Sequence, residues 1–183
     1  MHNPNKFIIT LFLVGFITAQ DYRHTKIQAI PDLSFMKIVY TGLDVLEQMD
    51  FSQLKGKTIS ILCNQASVNR NGQHLLTLLR EAEDVHVLAI FLPQYGLFAS
   101  EDPKLKMMGN KSIDPIFGAR VIDLFDRVLY PPEWSMRDAD LILIDMQDTG
   151  VRYTTFMATV SKVLESAAKY RKPVLLLDRP NPL

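Results

Sequence analysis

This chain of 183 residues has one cysteine, no excess of either charge and no apolar run long enough to cross a bilayer. A single cysteine excludes an internal disulfide. Its place in Thr58-Ile59-Ser60-Ile61-Leu62-Cys63 marks Cys63 as a small core residue rather than a nucleophile. Lysine plus arginine and aspartate plus glutamate each total 20, for a net charge of +0. The chain therefore offers no basic field of the kind that attracts nucleic acid or an anionic membrane. Neither G-x-G-x-x-G nor G-x-x-x-x-G-K-[ST] occurs, so a nucleotide would find no phosphate cradle, and no cofactor is expected. His2, His24, His74 and His86 are scattered without ligand spacing, so no metal is expected either. Ser67 and Ser100 lack the strand-to-helix elbow of a nucleophilic hydrolase. There are no internal repeats and no low-complexity tracts.

The N-terminal apolar stretch runs from Phe7 to Ala19 and is broken only by Thr10, Gly15 and Thr18. It falls short of the ~20 residues that a spanning helix needs. With Lys6 before it and Ala19 at the cleavage position before Gln20, residues 1–19 read as a secretory signal peptide, an uncleaved anchor being the alternative. No cysteine follows the stretch, so a lipid anchor is not expected. The expected mature protein is periplasmic or secreted, with no membrane contact after cleavage, and residues 20–39 form a lead-in to the domain.

With 48% apolar and 22% charged residues, the remainder has ordinary globular composition, long enough for one well-buried domain. Strands are predicted over 58–63, 85–91, 120–125, 140–145 and 173–178, where β-branched and aliphatic residues run together between turn residues. Helical spacing of apolar residues predicts helices over 42–49, 75–82 and 155–171, and a helical turn over 131–139. Residues 92–119 carry glycines, prolines and charges without a period and read as a long loop. Strands alternating with helices, and near-continuous apolar runs within the strands, predict an α/β fold with a mostly parallel sheet covered by helices on both faces.

Laid side by side, the predicted strands end in polar residues. Asn64 and Gln65 follow the first, Gln94 and Tyr95 the second. Asp145, Gln147 and Asp148 follow the fourth, with Arg152 and Tyr153 opening the next helix, and Asp178, Arg179 and Asn181 follow the fifth. In an open parallel sheet, ligands sit at the carboxyl ends of the strands. Amides and carboxylates there suit a polyhydroxylated ligand, and an arginine suits a carboxylate. The alternative is structural: Asp145 with Arg152, or Asp178 with Arg179, as ion pairs that hold loops, and Asn64 as a turn residue.

Five segments in this order resemble the exo-β-N-acetylmuramidase family (NamZ-like, formerly DUF1343): Gly42-Leu43-Asp44-Val45-Leu46, Asn64-Gln65, Phe91-Leu92-Pro93-Gln94-Tyr95-Gly96-Leu97, Asp145-Met146-Gln147-Asp148-Thr149-Gly150-Val151-Arg152-Tyr153 and Leu177-Asp178-Arg179-Pro180-Asn181-Pro182. The resemblance covers residues 40–183. It implies a Rossmann-like N-terminal domain, truncated before the smaller C-terminal domain of the family, and an exported glycoside hydrolase that releases N-acetylmuramic acid from peptidoglycan fragments. The implied partner is an N-acetylmuramic-acid-containing glycan, with Arg152 or Arg179 pairing with the lactyl carboxylate and Asp145, Asp148 and Asp178 binding or assisting.

This chain departs from the family at one place. The second-strand motif of the family reads roughly Pro-Glu-His-Gly, and its glutamate is the expected catalytic carboxylate; here the same positions are Gln94 and Tyr95. Glutamine neither ionises nor acts as an acid, while glycoside hydrolysis ordinarily uses two carboxyl groups flanking the bond. The expectation is therefore a glycosidase impaired in chemistry. A non-catalytic sugar-binding relative and an unstable fragment are the alternatives. The oligomeric state is not legible in the sequence.

Overall fold

The structure, a computed structural model, describes residues 39–94, 96, 112–113, 117–125 and 128–182. The signal-peptide reading of 1–19, most of the lead-in, and Tyr95 lie outside the described residues.

Aliphatic runs bounded by turns become the strands β1 (Lys57–Cys63), β2 (Val85–Leu92), β3 (Ser112–Ile113), β4 (Arg120–Asp123), β5 (Leu141–Asp145) and β6 (Val174–Leu176). They form one sheet in the order β3-β4-β2-β1-β5-β6. All neighbours pair in parallel except β3, which runs antiparallel to β4 at the edge. The two-residue β3 falls inside the segment expected to be loop, because two residues carry no readable period. The helices are α1 (Gly42–Gln48), α2 (Leu75–Glu81), α3 (Glu133–Arg137) and α4 (Phe156–Lys169).

Alternation along the strands decides what packs where. Ile59, Ile61 and Cys63 of β1, with Leu141 and Leu143 of β5, face a cluster built with Leu43 and Leu46 of α1 and Leu75, Leu76, Leu78 and Leu79 of α2. Leu62, Phe91, Ile142 and Ile144 face the opposite cluster, with Met136 of α3 and Phe156, Val160, Val163 and Ala167 of α4. Both faces of β1 and β5 are thus covered, which is why their sequences are apolar throughout rather than alternating. The one hydroxyl buried inside β1, that of Ser60, donates to the Ser135 carbonyl of α3 at 2.6 Å, so its burial leaves nothing unpaired.

α1 begins with a capping box. The Thr41 hydroxyl accepts from the Asp44 N–H at 3.2 Å, and the Asp44 carboxylate accepts from the Thr41 N–H at 2.7 Å and its hydroxyl at 2.8 Å. The other carboxylate oxygen accepts from the Arg70 N–H at 2.8 Å, tying α1 to the loop after β1. Burial pushes the Asp44 carboxyl up, but the bonds from Arg70 and Thr41 outweigh it and hold the group below its ordinary value. Gly42 sits against the backbone after β6: its N–H donates to the Asp178 carbonyl at 2.7 Å. A Cβ at this position would lie 2.6 Å from the Asp178 nitrogen.

The α1 contacts generate two predictions. Gly42→Ala is expected to lose about 1–3 kcal/mol in urea unfolding, because the neighbouring atoms are backbone and cannot rotate away. Asp44 has a lowered carboxyl, so its contribution is complete above the unfolded-chain value of about 4 and is lost as the pH falls through the folded value. The stability deficit of Asp44→Asn relative to the parent is therefore expected to be full at pH 7 and to shrink below about pH 4, as tracked by thermal unfolding across pH.

Candidate ligand site at the strand ends

Four neighbouring strands, β2, β1, β5 and β6, end on the same side of the sheet because they are parallel. Cys63 and Asp145, the last residues of β1 and β5, are direct partners across the ladder. The residues beyond each strand divide into groups that hold the strand ends together and groups that face outward.

Asp145 is fully buried and meets Arg179, whose side chain is 5% exposed. The guanidinium is bidentate, with Nε at 2.5 Å and Nη2 at 2.8 Å from the two carboxylate oxygens, and Nη1 donates to the Val68 carbonyl at 3.1 Å. The ion pair at the strand ends is thus Asp145–Arg179. It differs from the two pairings of the structural alternative, Asp145 with Arg152 and Asp178 with Arg179. Burial pushes the Asp145 carboxyl above its usual value, and the bond from Arg179 pulls against it. Burial, with the Asp145 charge beside it, also pushes the Cys63 thiol up, which keeps it a neutral core residue.

Asn64 is a cross-strand tie. Its amide nitrogen donates to the Gln147 carbonyl at 2.9 Å, and its Oδ1 accepts from the Ala66 N–H at 3.1 Å and the Ser67 hydroxyl at 3.3 Å. Ser67 also lies 2.6 Å from the Asp145 carbonyl, within donating reach of it. His74 caps α2, its Nδ1 accepting from the Leu76 N–H at 3.2 Å. That leaves Nε2–H to donate to the Asn64 carbonyl at 2.9 Å, so the ring is the Nε2–H tautomer. Gln147 donates to the carbonyls of Asp148 and Pro180 at 2.9 and 3.2 Å, joining the loop after β5 to the segment after β6.

Asp148 organises its own loop. Its carboxylate accepts from the Gly150 N–H at 3.1 Å and the Thr154 hydroxyl at 3.1 Å. Gly150 has φ +78°, a conformation that favours glycine. The loop so folded presents Arg152 and Tyr153 outward, Tyr153 being 86% exposed. Gln65, Asp178 and Asn181 are exposed as well. Gln94 is half-buried, and its Oε1 accepts from the hydroxyl of Thr155 at 2.9 Å. Thr155 is the N-cap residue of α4, yet its hydroxyl makes no cap bond and reaches across to the end of β2 instead.

Of the twelve site residues read from sequence, Asn64, Asp145, Gln147 and Arg179 form the inner tie, and Asp148 folds the loop. Gln65, Arg152, Tyr153, Asp178 and Asn181 are exposed, and Gln94 lies half-buried beside α4; Tyr95 lies outside the described residues. Sequence reading missed Ser67, His74, Thr154 and Thr155. The signals were present as Ser67 three residues after Asn64, and His74 immediately before an apolar helix. Among the described residues no group of three or more His, Cys, Asp or Glu side chains converges to hold a metal ion.

The mostly parallel α/β sheet is covered on both faces, and its polar groups gather at the carboxyl ends of four adjacent strands, the place where open α/β sheets of this class bind their ligands. The model of the family described as exo-beta-N-acetylmuramidase NamZ, N-terminal, matches residues 59–183, and the chain belongs to that family. It is 31% identical over 180 residues to the peptidoglycan beta-N-acetylmuramidase NamZ of Bacillus subtilis (strain 168), across 96% of this chain and 41% of that protein. A DUF1343 family protein of Bacteroides fragilis NCTC 9343 superposes with TM-score 0.67 and 29% identity, covering 78% of this chain and 35% of that one. A second DUF1343 protein of the same organism gives TM-score 0.62 and 31% identity over 80% and 36%. The chain therefore spans about two fifths of the length of the curated relative it matches.

The buried pair generates a stability prediction. Arg179→Met leaves the Asp145 carboxylate buried without a cation and is expected to lose about 3–5 kcal/mol by urea unfolding. Asp145→Leu/Arg179→Met removes both charges and is expected to recover part of that loss.

Proposed function

We propose that this chain is the glycan-binding domain of a peptidoglycan-directed glycosidase of the exo-β-N-acetylmuramidase type, exported through residues 1–19, in which hydrolysis is impaired. The single observation that carries the impairment is Gln94. It stands at the end of β2, where the family resemblance places a glutamate, and its carbonyl oxygen is engaged by Thr155. The amide holds a fixed hydrogen-bonding position at the rim and has no proton to give or take at any accessible pH.

Support for sugar binding comes from the family and from the outward groups. Gln65, Asp178 and Asn181 carry amides and carboxylates suited to hydroxyls, and Tyr153 offers an exposed ring. Asp145 belongs to the tie beneath the site, where it holds Arg179 in place. Asp148 shapes the loop that carries Arg152 and Tyr153. Both carboxylates are engaged within the protein: one is paired with a guanidinium, and both oxygens of the other accept loop donors.

General acid–base help is typically worth 10²–10⁴-fold in rate. The purified chain is expected to leave a chromogenic N-acetylmuramide unhydrolysed, and Gln94→Glu/Tyr95→His is expected to raise turnover by at least about 10²-fold. Clear turnover by the parent chain would contradict the impairment.

A further inference from the structure

We infer that Thr155 is a positioning residue for the side chain at position 94. Its hydroxyl fixes which end of the Gln94 amide meets a ligand, and it would hold the carboxylate introduced by Gln94→Glu in the same place. The inference rests on the reading of position 94 given above.

Both partners of this contact are held by groups other than the contact itself. The Gly96 N–H donates to the Pro93 carbonyl at 3.0 Å, closing a turn that contains Gln94. Pro93 is buried and its ring fixes its φ, while Gly96 at φ +59° takes a conformation that favours glycine. Thr155 stands one residue before Phe156, which is buried in the same cluster as Phe91 of β2. The Thr155 carbonyl accepts from the Thr159 N–H at 3.0 Å and the Thr159 hydroxyl at 3.2 Å, bonds that need no side chain at position 155. One core cluster therefore places two residues 61 positions apart, on either side of the β1 end.

The hydroxyl is diverted from its usual use. An N-cap threonine ordinarily has an extended backbone and accepts from an N–H in the first turn of its helix. Thr155 has φ −89° and ψ 0°, makes no such bond, and donates to Gln94 Oε1 at 2.9 Å. The 14-residue α4 is held instead by its buried face of Phe156, Val160, Val163 and Ala167. With the amide oxygen engaged, the nitrogen is the end left for a ligand, and it has no partner among the described residues. Position 94 thus presents a donor to an acceptor oxygen of a sugar. A carboxylate there would accept from the same hydroxyl through one oxygen and keep the other for the ligand.

The test uses Thr155→Val, which keeps the branched shape without the hydroxyl, and Thr155→Ser, which keeps the hydroxyl. Each is made in the parent chain and in the Gln94→Glu/Tyr95→His chain. In the parent, the side-chain amide 15N–1H signals of Gln94 are expected to move in Thr155→Val and to stay in place in Thr155→Ser. In the Gln94→Glu/Tyr95→His chain, Thr155→Val is expected to lower kcat for a chromogenic N-acetylmuramide roughly 10- to 100-fold, the loss of a hydrogen bond to a charged group, with KM unchanged. Thr155→Ser is expected to keep the kcat of its background. If Thr155→Val leaves either readout unchanged, or if Thr155→Ser loses as much as Thr155→Val, the assignment is overturned while the reading of position 94 stands. If the Gln94→Glu/Tyr95→His chain turns over no substrate, that reading fails and this inference with it.

Discussion

A carboxylate buried to the point of zero exposure must be paired, and the arrangement around Asp145 stems from that requirement. Arg179 supplies the pairing from the segment after β6, and its third nitrogen reaches the Val68 carbonyl in the loop after β1. One guanidinium therefore joins the ends of three adjacent strands. Asn64, Ser67 and Gln147 extend the same tie, and no described buried side-chain nitrogen or oxygen is left without a partner. A half-satisfied network at this depth would cost more than an apolar plug, so the set stands or falls together.

This constraint separates floor from rim. The most polar-looking residues of the strand ends, Asp145 and Arg179, are the floor, where they set the spacing of strands and offer nothing to solvent. The groups that a ligand can meet are those the floor holds outward: Gln65, Arg152, Tyr153, Asp178 and Asn181, with Gln94 at the β2 end. Precision at such a site comes from the supporting shell, and here that shell is built on strand ends and a helix cap rather than on long loops. Thr155 illustrates the economy of it: the residue that opens α4 gives its hydroxyl to Gln94 instead of capping its own helix.

Much of the fold was legible because periodicity is local. The apolar runs of β1, β2 and β5 and the helical faces of α2 and α4 are written within ten to fifteen residues, and the polar strand ends lie where those runs stop. β3 was not legible, since two residues of an edge strand have no pattern. Nor was the identity of the ion pair: Asp145 and Arg179 lie 34 residues apart, and only the β5–β6 pairing brings them together. Asn64, read either as a ligand group or as a turn residue, lies in the turn after β1, and its amide bridges two strands, a role that the sequence does not display. The division of the site residues into tie and rim was illegible for the same reason, because residue type does not report burial.

Membership of the exo-β-N-acetylmuramidase family gives the rim its proposed ligand, and Gln94 is the ground on which impaired hydrolysis is proposed. The most direct measurement is a 15N-edited NMR titration of the chain with N-acetylmuramic acid. Saturable amide shifts are expected in the segments 64–67, 147–154 and 178–181, with the surface at the C-terminal end of α4, capped by Tyr170 and leading into the start of β6, unchanged. Shifts confined to that distant surface, or none at concentrations well above millimolar, would contradict a sugar site at the strand ends.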